Sequence, residues 1–219
     1  MPKLHGVGLS PFVRKTRIAL AEKGIAYDSD PVLPIGVSEE YKKISPLGKI
    51  PCYTPKEGVN IPDSSVIIAY LERTQPNPPL YPSNNEDFAR ALFLEEYSDS
   101  ALAAATGAVF FQRLVGPRFM NQPTDEAAVK TAITETMPPL FAWLDAEIKG
   151  KEYFVGGKFS VADIAITSPF VNLLHAGETV ESVAPGKFPN LAKYVTAMMA
   201  RPTIAALIEE EKAFFQEAA

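Results

Sequence analysis

At 219 residues the chain is long enough for one large domain or two small ones with buried cores. It is 47% hydrophobic and 21% charged, an ordinary globular balance, and its 21 basic and 26 acidic residues leave a net charge of −5, which argues against a nucleic-acid or anionic-membrane surface. One cysteine, Cys52, excludes an internal disulfide, a CxxC redox pair and a cysteine zinc site, and two histidines far apart in sequence, His5 and His175, argue against a metal site.

The N-terminal MPKLHGVGLS lacks an apolar core of signal-peptide length. The small-apolar run Ala101 to Phe111 is too short to span a bilayer, so a reducing, cytoplasmic compartment is expected. Lys3 to Val7 reads as a short strand. Ser10 then suits an N-cap and Pro11 the first helical position, where a fixed φ and a missing N–H are tolerated. Val13, Ile18, Leu20 and Ala21 continue that helix and Gly24 stops it. Arg14, Lys15 and Arg17 read as a solvated basic face. Tyr27 to Val32 reads as a second strand, joined to the first by a right-handed crossover. Pro31 to Ile44 reads as irregular, with one short helix.

The stretch Ser45 to Ile67, SPLGKIPCYTPKEGVNIPDSSVI, organises this half. Pro51 has no N–H and fits the first residue of a strand, Pro51 to Thr54. X-Pro bonds are the ones that adopt cis at low cost, and Ile50-Pro51 is expected to be cis. That geometry would turn the Ile50 N–H and C=O outward, where an extended peptide could pair with them. A turn over Pro55 to Gly58 returns the chain through Val59 to Ile61. Asp63 and Ser64 open the next helix, either as ordinary caps or as the second half of a peptide site. In the second role, free N–H groups and a hydroxyl would hold a carboxylate and Asp63 an ammonium. The order β-α-β-(α)-β-β-α is thioredoxin-like.

Thr74 to Asn85, TQPNPPLYPSNN, is dense in proline and reads as a linker. The expected division is residues 1–76, a linker 77–85, and an all-helical domain 86–219. Glu86 to Leu114 and Asp125 to Gly150 read as long helical runs. The second should be kinked or split by Pro138-Pro139. Ser160 and Asp163 have capping-box spacing ahead of an apolar, buried helix, Ile164 to Leu174. Pro189 to Met199 and Pro202 to Phe215 complete the chain.

Three motifs in this order, SPFVRKTRIALAEKG, GKIP with DSS downstream, and the late GKFSVADIA, resemble the cytosolic glutathione S-transferase family, of the serine or cysteine type. The resemblance covers essentially the whole chain and implies an α+β two-domain fold, thioredoxin-like then all-helical. It implies glutathione as co-substrate, no metal, and a homodimer through the Ser65–Thr74 and Glu86–Ser100 helices, with neither nucleic acid nor membrane as partner. Glutathione carries the α-carboxylate and α-amine that the Asp63-Ser64 helix start would read. By the resemblance, Ser10 contacts the glutathione sulfur and is the catalytic residue. A hydroxyl donor and a helix N-terminus favour thiolate over thiol. Ile50, at the Ile50-Pro51 turn, would pair with the cysteinyl unit. Asp63 and Ser64 would hold the γ-glutamyl end, and Lys49 would be a polar contact. Lys49, Lys42 and Lys43 are candidates for the glycyl carboxylate. Asp63 stands where Glu or Gln is commoner, and Val66 where Ala is.

The second substrate's pocket is expected between the domains, with Phe12 as one wall and Phe110, Phe111, Arg113, Leu114, Phe119 and Phe214 as candidates for the other. The Ser160–Asp163 box, Arg17 and the Glu22-Lys23-Gly24 stop read as structural, His5 and His175 as packed or solvated, and Cys52 as a buried, inert thiol. The function implied is a glutathione S-transferase acting on apolar electrophiles, with a role in detoxification. The alternatives are a non-catalytic interaction module of the same fold and a glutathione-dependent thiol reductase. The reductase would need cysteine at position 10.

Overall fold

In the computed structural model, which describes residues 1–217, the chain divides into two units, Met1–Tyr81 and Pro82–Ala219. The division falls inside the proline-rich stretch. The first unit is built on four short strands, Lys3–His5 (β1), Asp28–Asp30 (β2), Cys52–Lys56 (β3) and Val59–Pro62 (β4), in the order β2-β1-β3-β4. β1 pairs with β2 in parallel and with β3 antiparallel, placing His5 opposite both Asp30 and Cys52. β3 and β4 form an antiparallel hairpin. β2 is polar throughout and lies at an edge, where unpaired backbone favours charge over apolar residues.

Helix Pro11–Glu22 (α1) links β1 to β2, Glu39–Ile44 (α2) precedes β3, and Ser64–Thr74 (α3) follows β4. The turn after β3 is shorter than the sequence suggests. Pro55 belongs to β3, at a shift of register between Tyr53 and Lys56, where a residue without an N–H is tolerated. The basic residues of α1 are also not a solvated face. Arg14 and Lys15 are 0% and 1% exposed, and both are bonded: Arg14 donates to the Leu9 carbonyl at 3.4 Å, and Lys15 Nζ to Ser65 Oγ at 2.9 Å. A buried cation is tolerated only with such partners. Lys23, also buried, ties the end of α1 to the end of α3. Its Nζ donates to the carbonyls of Gln75 and Pro78 at 2.7 and 2.9 Å and pairs with Glu72 at 2.7 Å.

The described residues of the second unit are helical, without strands: Asn85–Tyr97 (α4), Ala103–Phe110 (α5), Gly116–Phe119 (α6), Glu126–Thr131 (α7), Met137–Ile148 (α8), Val161–His175 (α9), Val180–Val183 (α10), Pro189–Met199 (α11) and Pro202–Glu217 (α12). The two long runs expected from sequence are each interrupted by wide turns of π-helix, at Ser98–Leu102, Phe111–Val115 and Ala132–Thr136. The last ends at Thr136, two residues before Pro138-Pro139, whose missing N–H groups break the regular ladder. α9 is buried on every side from Val161 to Leu173 and forms the centre of this unit. Asp163, fully buried, accepts from the Ser160 N–H at 2.9 Å, the Ser160 hydroxyl at 3.1 Å, the Phe154 N–H at 3.1 Å and the Tyr194 hydroxyl at 2.7 Å.

Candidate active site

In the first unit the starts of two helices and the turn between α2 and β3 are held together. Ser10 is the N-cap of α1, and its Oγ accepts from the Val13 N–H at 3.5 Å. The side-chain caps of α2, α3 and α4 are shorter, 3.1 Å at Ser38, 2.9 Å at Asp63 and 2.8 Å at Asn84. Ser10 is therefore the weakly engaged cap of the group. Its hydroxyl proton, which capping does not use, has no acceptor among the described residues.

The Ile50-Pro51 bond is cis, as expected, and β3 begins only at Cys52, so Ile50 lies outside the ladder. Two hydroxyls, Tyr41 at 2.9 Å and Ser45 at 2.7 Å, donate to the Lys49 carbonyl and fix the turn ahead of it. Burial pushes the Tyr41 hydroxyl up to about 12, so it remains a donor at neutral pH. Gly6, at φ +137°, allows the close approach at this corner. A Cβ there would stand 2.6 Å from Val13 Cγ2 and 3.1 Å from Ile50 Cβ. The end of β1, the first turn of α1 and Ile50 thus meet at a position only glycine fits.

The Asp63 N–H donates to the Pro51 carbonyl at 3.1 Å, which joins the Ile50-Pro51 turn to the start of α3. Asp63 has φ +79°, uncommon for a residue with a side chain. Its Oδ1 caps the helix, accepting from Ser65 N–H at 2.9 Å and Val66 N–H at 3.2 Å, and the side chain is exposed. Ser64 is buried at the first helical position. The Lys15–Ser65 bond ties α1 to this same helix start.

Of the three candidate lysines, Lys42 and Lys43 pair with Glu39 and Glu40 of their own helix at 2.6 Å each. Lys49 is exposed and has no carboxylate partner among the described residues. Phe12 is half-buried on α1. The other candidates for an apolar pocket belong to the second unit. Phe110 is buried edge-on against Phe215, Arg113 pairs with Glu178 at 2.5 Å and donates to the Ala176 carbonyl at 3.1 Å, and Leu114 is half-buried. Phe111 is half-buried, and Phe119 and Phe214 stack on each other with rings 6.4 Å apart.

His5 is packed, with Nδ1 2.7 Å from Asp30 and Nε2 3.0 Å from Thr54 Oγ1. His175 is packed against Glu211 at 2.8 Å. Cys52 is fully buried, and burial pushes its thiol up to about 11, so it is not a nucleophile at neutral pH. Among the described residues no group of His, Cys, Asp and Glu could hold a metal ion. No helix among the described residues is long and apolar enough to cross a membrane. Sequence reasoning missed Gly6, Tyr41, Ser45 and Lys15. Of these only Gly6 left a signal, a glycine directly after a strand.

Two family models match this chain, "Glutathione S-transferase, N-terminal domain" over residues 4–79 and "Glutathione S-transferase, C-terminal domain" over residues 110–211. The chain therefore belongs to the glutathione S-transferase family. It is 28% identical to glutathione S-transferase U4 of Arabidopsis thaliana over 198 residues, which cover 88% of this chain and 82% of that one. A glutathione S-transferase from Rhodospirillum rubrum F11 has the same fold, with a TM-score of 0.84 at 22% identity over 94% of this chain and 91% of that one. A glutathione S-transferase-I solved with lactoylglutathione bound superposes with a TM-score of 0.81 at 22% identity, over 95% of this chain and 98% of that one.

Proposed function

We propose that this chain is a glutathione S-transferase in which Ser10 stabilises the glutathione thiolate. The sulfur attacks an electrophilic carbon of an apolar substrate, an S–C bond forms, and the displaced group leaves with the electron pair. The observation that carries the reading is the Ser10 hydroxyl: it opens a twelve-residue helix, accepts only a 3.5 Å cap bond and keeps its proton to donate. A hydrogen bond to a charged group contributes about 1.5–3 kcal/mol, enough to lower a thiol pKa by roughly one to two.

Ile50 pairs through its backbone with the cysteinyl unit. The α3 N-terminus and the Ser64 hydroxyl receive the γ-glutamyl carboxylate, and Asp63 receives the ammonium. The positive φ of Asp63 supports this, since strained backbone concentrates at ligand-holding positions. Lys49 takes the glycyl carboxylate, because Lys42 and Lys43 already have partners. Phe12, two residues beyond Ser10, supplies apolar surface for the electrophile. Serine at position 10 supports a serine-type transferase over a thiol reductase, which would need cysteine there. A complete set of Ser10, Ile50-Pro51 and Asp63-Ser64 favours catalysis over a purely architectural role. We place the protein in the cytoplasm as a homodimer with a role in detoxification.

Ultraviolet titration of the thiolate in the glutathione complex tests binding and activation together. The complex should titrate one to two pH units below free glutathione, and Ser10→Ala should return it most of the way. The variant should keep glutathione affinity within a few-fold and lose about ten- to a hundredfold in turnover. Unchanged turnover would reduce Ser10 to a helix cap.

A further inference from the structure

We infer that Tyr41 and Ser45 are positioning residues for glutathione: by gripping the Lys49 carbonyl they aim the Ile50 N–H at the cysteinyl carbonyl of the bound peptide. The inference rests on the placement of the cysteinyl unit proposed above, and it assigns a role to two side chains that touch no part of the ligand.

The starting observation is a pair of unmet groups. Ile50 is 8% exposed, yet among the described residues neither its N–H nor its carbonyl has a hydrogen-bond partner. Backbone groups on so buried a residue are nearly always paired. On either side the chain is satisfied. The Lys49 carbonyl accepts twice, and the Pro51 carbonyl accepts from the Asp63 N–H at 3.1 Å. One N–H and one C=O left open between two tied neighbours match a single extended peptide residue.

Helix α2 supplies the grip. Tyr41 and Ser45 are four residues apart, so their side chains leave the same face, and the Ser45 N–H closes that turn on the Tyr41 carbonyl at 2.9 Å. The chain then reverses through Gly48, at φ +65°, whose N–H donates to the Ser45 carbonyl at 2.8 Å. The reversal returns the Lys49 carbonyl to α2, where the Tyr41 hydroxyl donates at 2.9 Å and the Ser45 hydroxyl at 2.7 Å. A carbonyl oxygen has two lone pairs, and both are then used. The effect passes to Ile50 through a rigid unit. The Lys49 C=O and the Ile50 N–H belong to one planar trans peptide and point in opposite directions. Fixing the oxygen fixes the direction of the N–H. With one hydroxyl removed the other still holds the plane, and with both removed it is free to turn.

The test uses the full chain with S-methylglutathione and with its analogue carrying a thioamide at the cysteinyl carbonyl, a weaker acceptor. In wild type, saturating S-methylglutathione should move the Ile50 amide proton downfield and slow its exchange at least about tenfold. The thioamide should bind about fivefold more weakly, the margin of one hydrogen bond. Tyr41→Phe and Ser45→Ala should each weaken S-methylglutathione by about two- to threefold and reduce the thioamide penalty in part. The double variant should lose more than the two combined and show a penalty within about twofold of none. A loss through the fold alone weakens both peptides equally and leaves the penalty intact. If the double variant does not fold, the penalties in the single variants decide. An Ile50 amide that ignores S-methylglutathione in wild type overturns the placement of the cysteinyl unit and this inference with it. A wild-type amide that responds, with the same response and the same penalty in the variants, overturns this inference alone.

Discussion

Ser10 and Asp63 both cap helices, yet they use their side chains differently. Asp63 makes short cap bonds through Oδ1 alone, and Ser10 makes one long bond that leaves its proton free to donate. This gives a test of Asp63 that preserves the fold, because asparagine caps as well as aspartate. Asp63→Asn should keep stability while weakening glutathione binding by about 1–3 kcal/mol, since it removes the negative partner of the ammonium. Ser64→Ala should cost a similar amount. Cysteinyl-glycine lacks the γ-glutamyl end and should be nearly indifferent to both. Calorimetry with both peptides decides it, and equal losses for the two would mean the substitutions act through the fold. Cys52 gives a second prediction. Its folded thiol titrates near 11 against an ordinary 9.0, so between those values the folded chain holds a proton that the unfolded chain has released. Stability should therefore fall as pH rises from about 9 to about 11, by at most about 1.4 kcal/mol per pH unit. Tyr41, raised to about 12, acts in the same direction at higher pH. Urea unfolding of Cys52→Ala should show a shallower slope over the lower range, and an unchanged slope would remove Cys52 as the cause. The burial of Cys52 was legible from its place after Pro51 on an apolar strand. The paired burial of Arg14 and Lys15 was not, because nothing local distinguishes a helix cation with a distant partner from a solvated one.

Helix α9 runs through Pro169, a residue that removes one bond of the helical ladder and orphans the Ala165 carbonyl. The partner comes from a neighbouring element. Ser98, buried in the π-turn that follows α4, donates to the Ala165 carbonyl at 2.7 Å. The wide turn and the buried proline thus form one interlocking feature. Ser98→Ala should destabilise the chain by about 1–3 kcal/mol, the cost of leaving a buried acceptor unmet. Pro169→Ala restores an N–H at that carbonyl, so in a double-mutant cycle the two changes should be non-additive, with the serine's loss largely gone in the alanine background. Simple additivity in urea unfolding would separate the two residues. The capping box at Ser160 and Asp163, the break at Pro138-Pro139 and the start of α11 at Pro189 were legible, because caps and prolines act on their own few residues. The π-turns were not, since they arise where one helix adjusts to another.

At the scale of the whole molecule, the proposed function predicts that glutathione stabilises the fold by mass action. At a hundred times its dissociation constant the gain is about 2.7 kcal/mol, which for a chain of this size raises the melting temperature by on the order of 5–10 °C. Ser10→Ala should keep most of that shift and Asp63→Asn should lose much of it, because one acts on the sulfur and the other on the peptide. A thermal-shift series distinguishes them, and equal shifts in all three proteins would contradict the division of labour. The proposed homodimer predicts twice the chain mass in sedimentation at micromolar concentration. By itself the sequence determined the two-part organisation, the strand and helix order of the first unit, the cis turn at Ile50-Pro51, and the caps at Ser10, Asp63 and Ser160. Each of these follows from local physics: a proline's fixed φ and missing N–H, a capping side chain, a period of two or of 3.6. Only the tertiary structure decided that Gly6 lets Ile50 pack against the first turn of α1, that Tyr41 and Ser45 brace the Lys49 carbonyl, that Lys15 and Lys23 are buried anchors, and that Ser98 answers Pro169. Those contacts join residues whose separation in the chain carries no periodic or local signal, and only the folded backbone brings the donors to their acceptors.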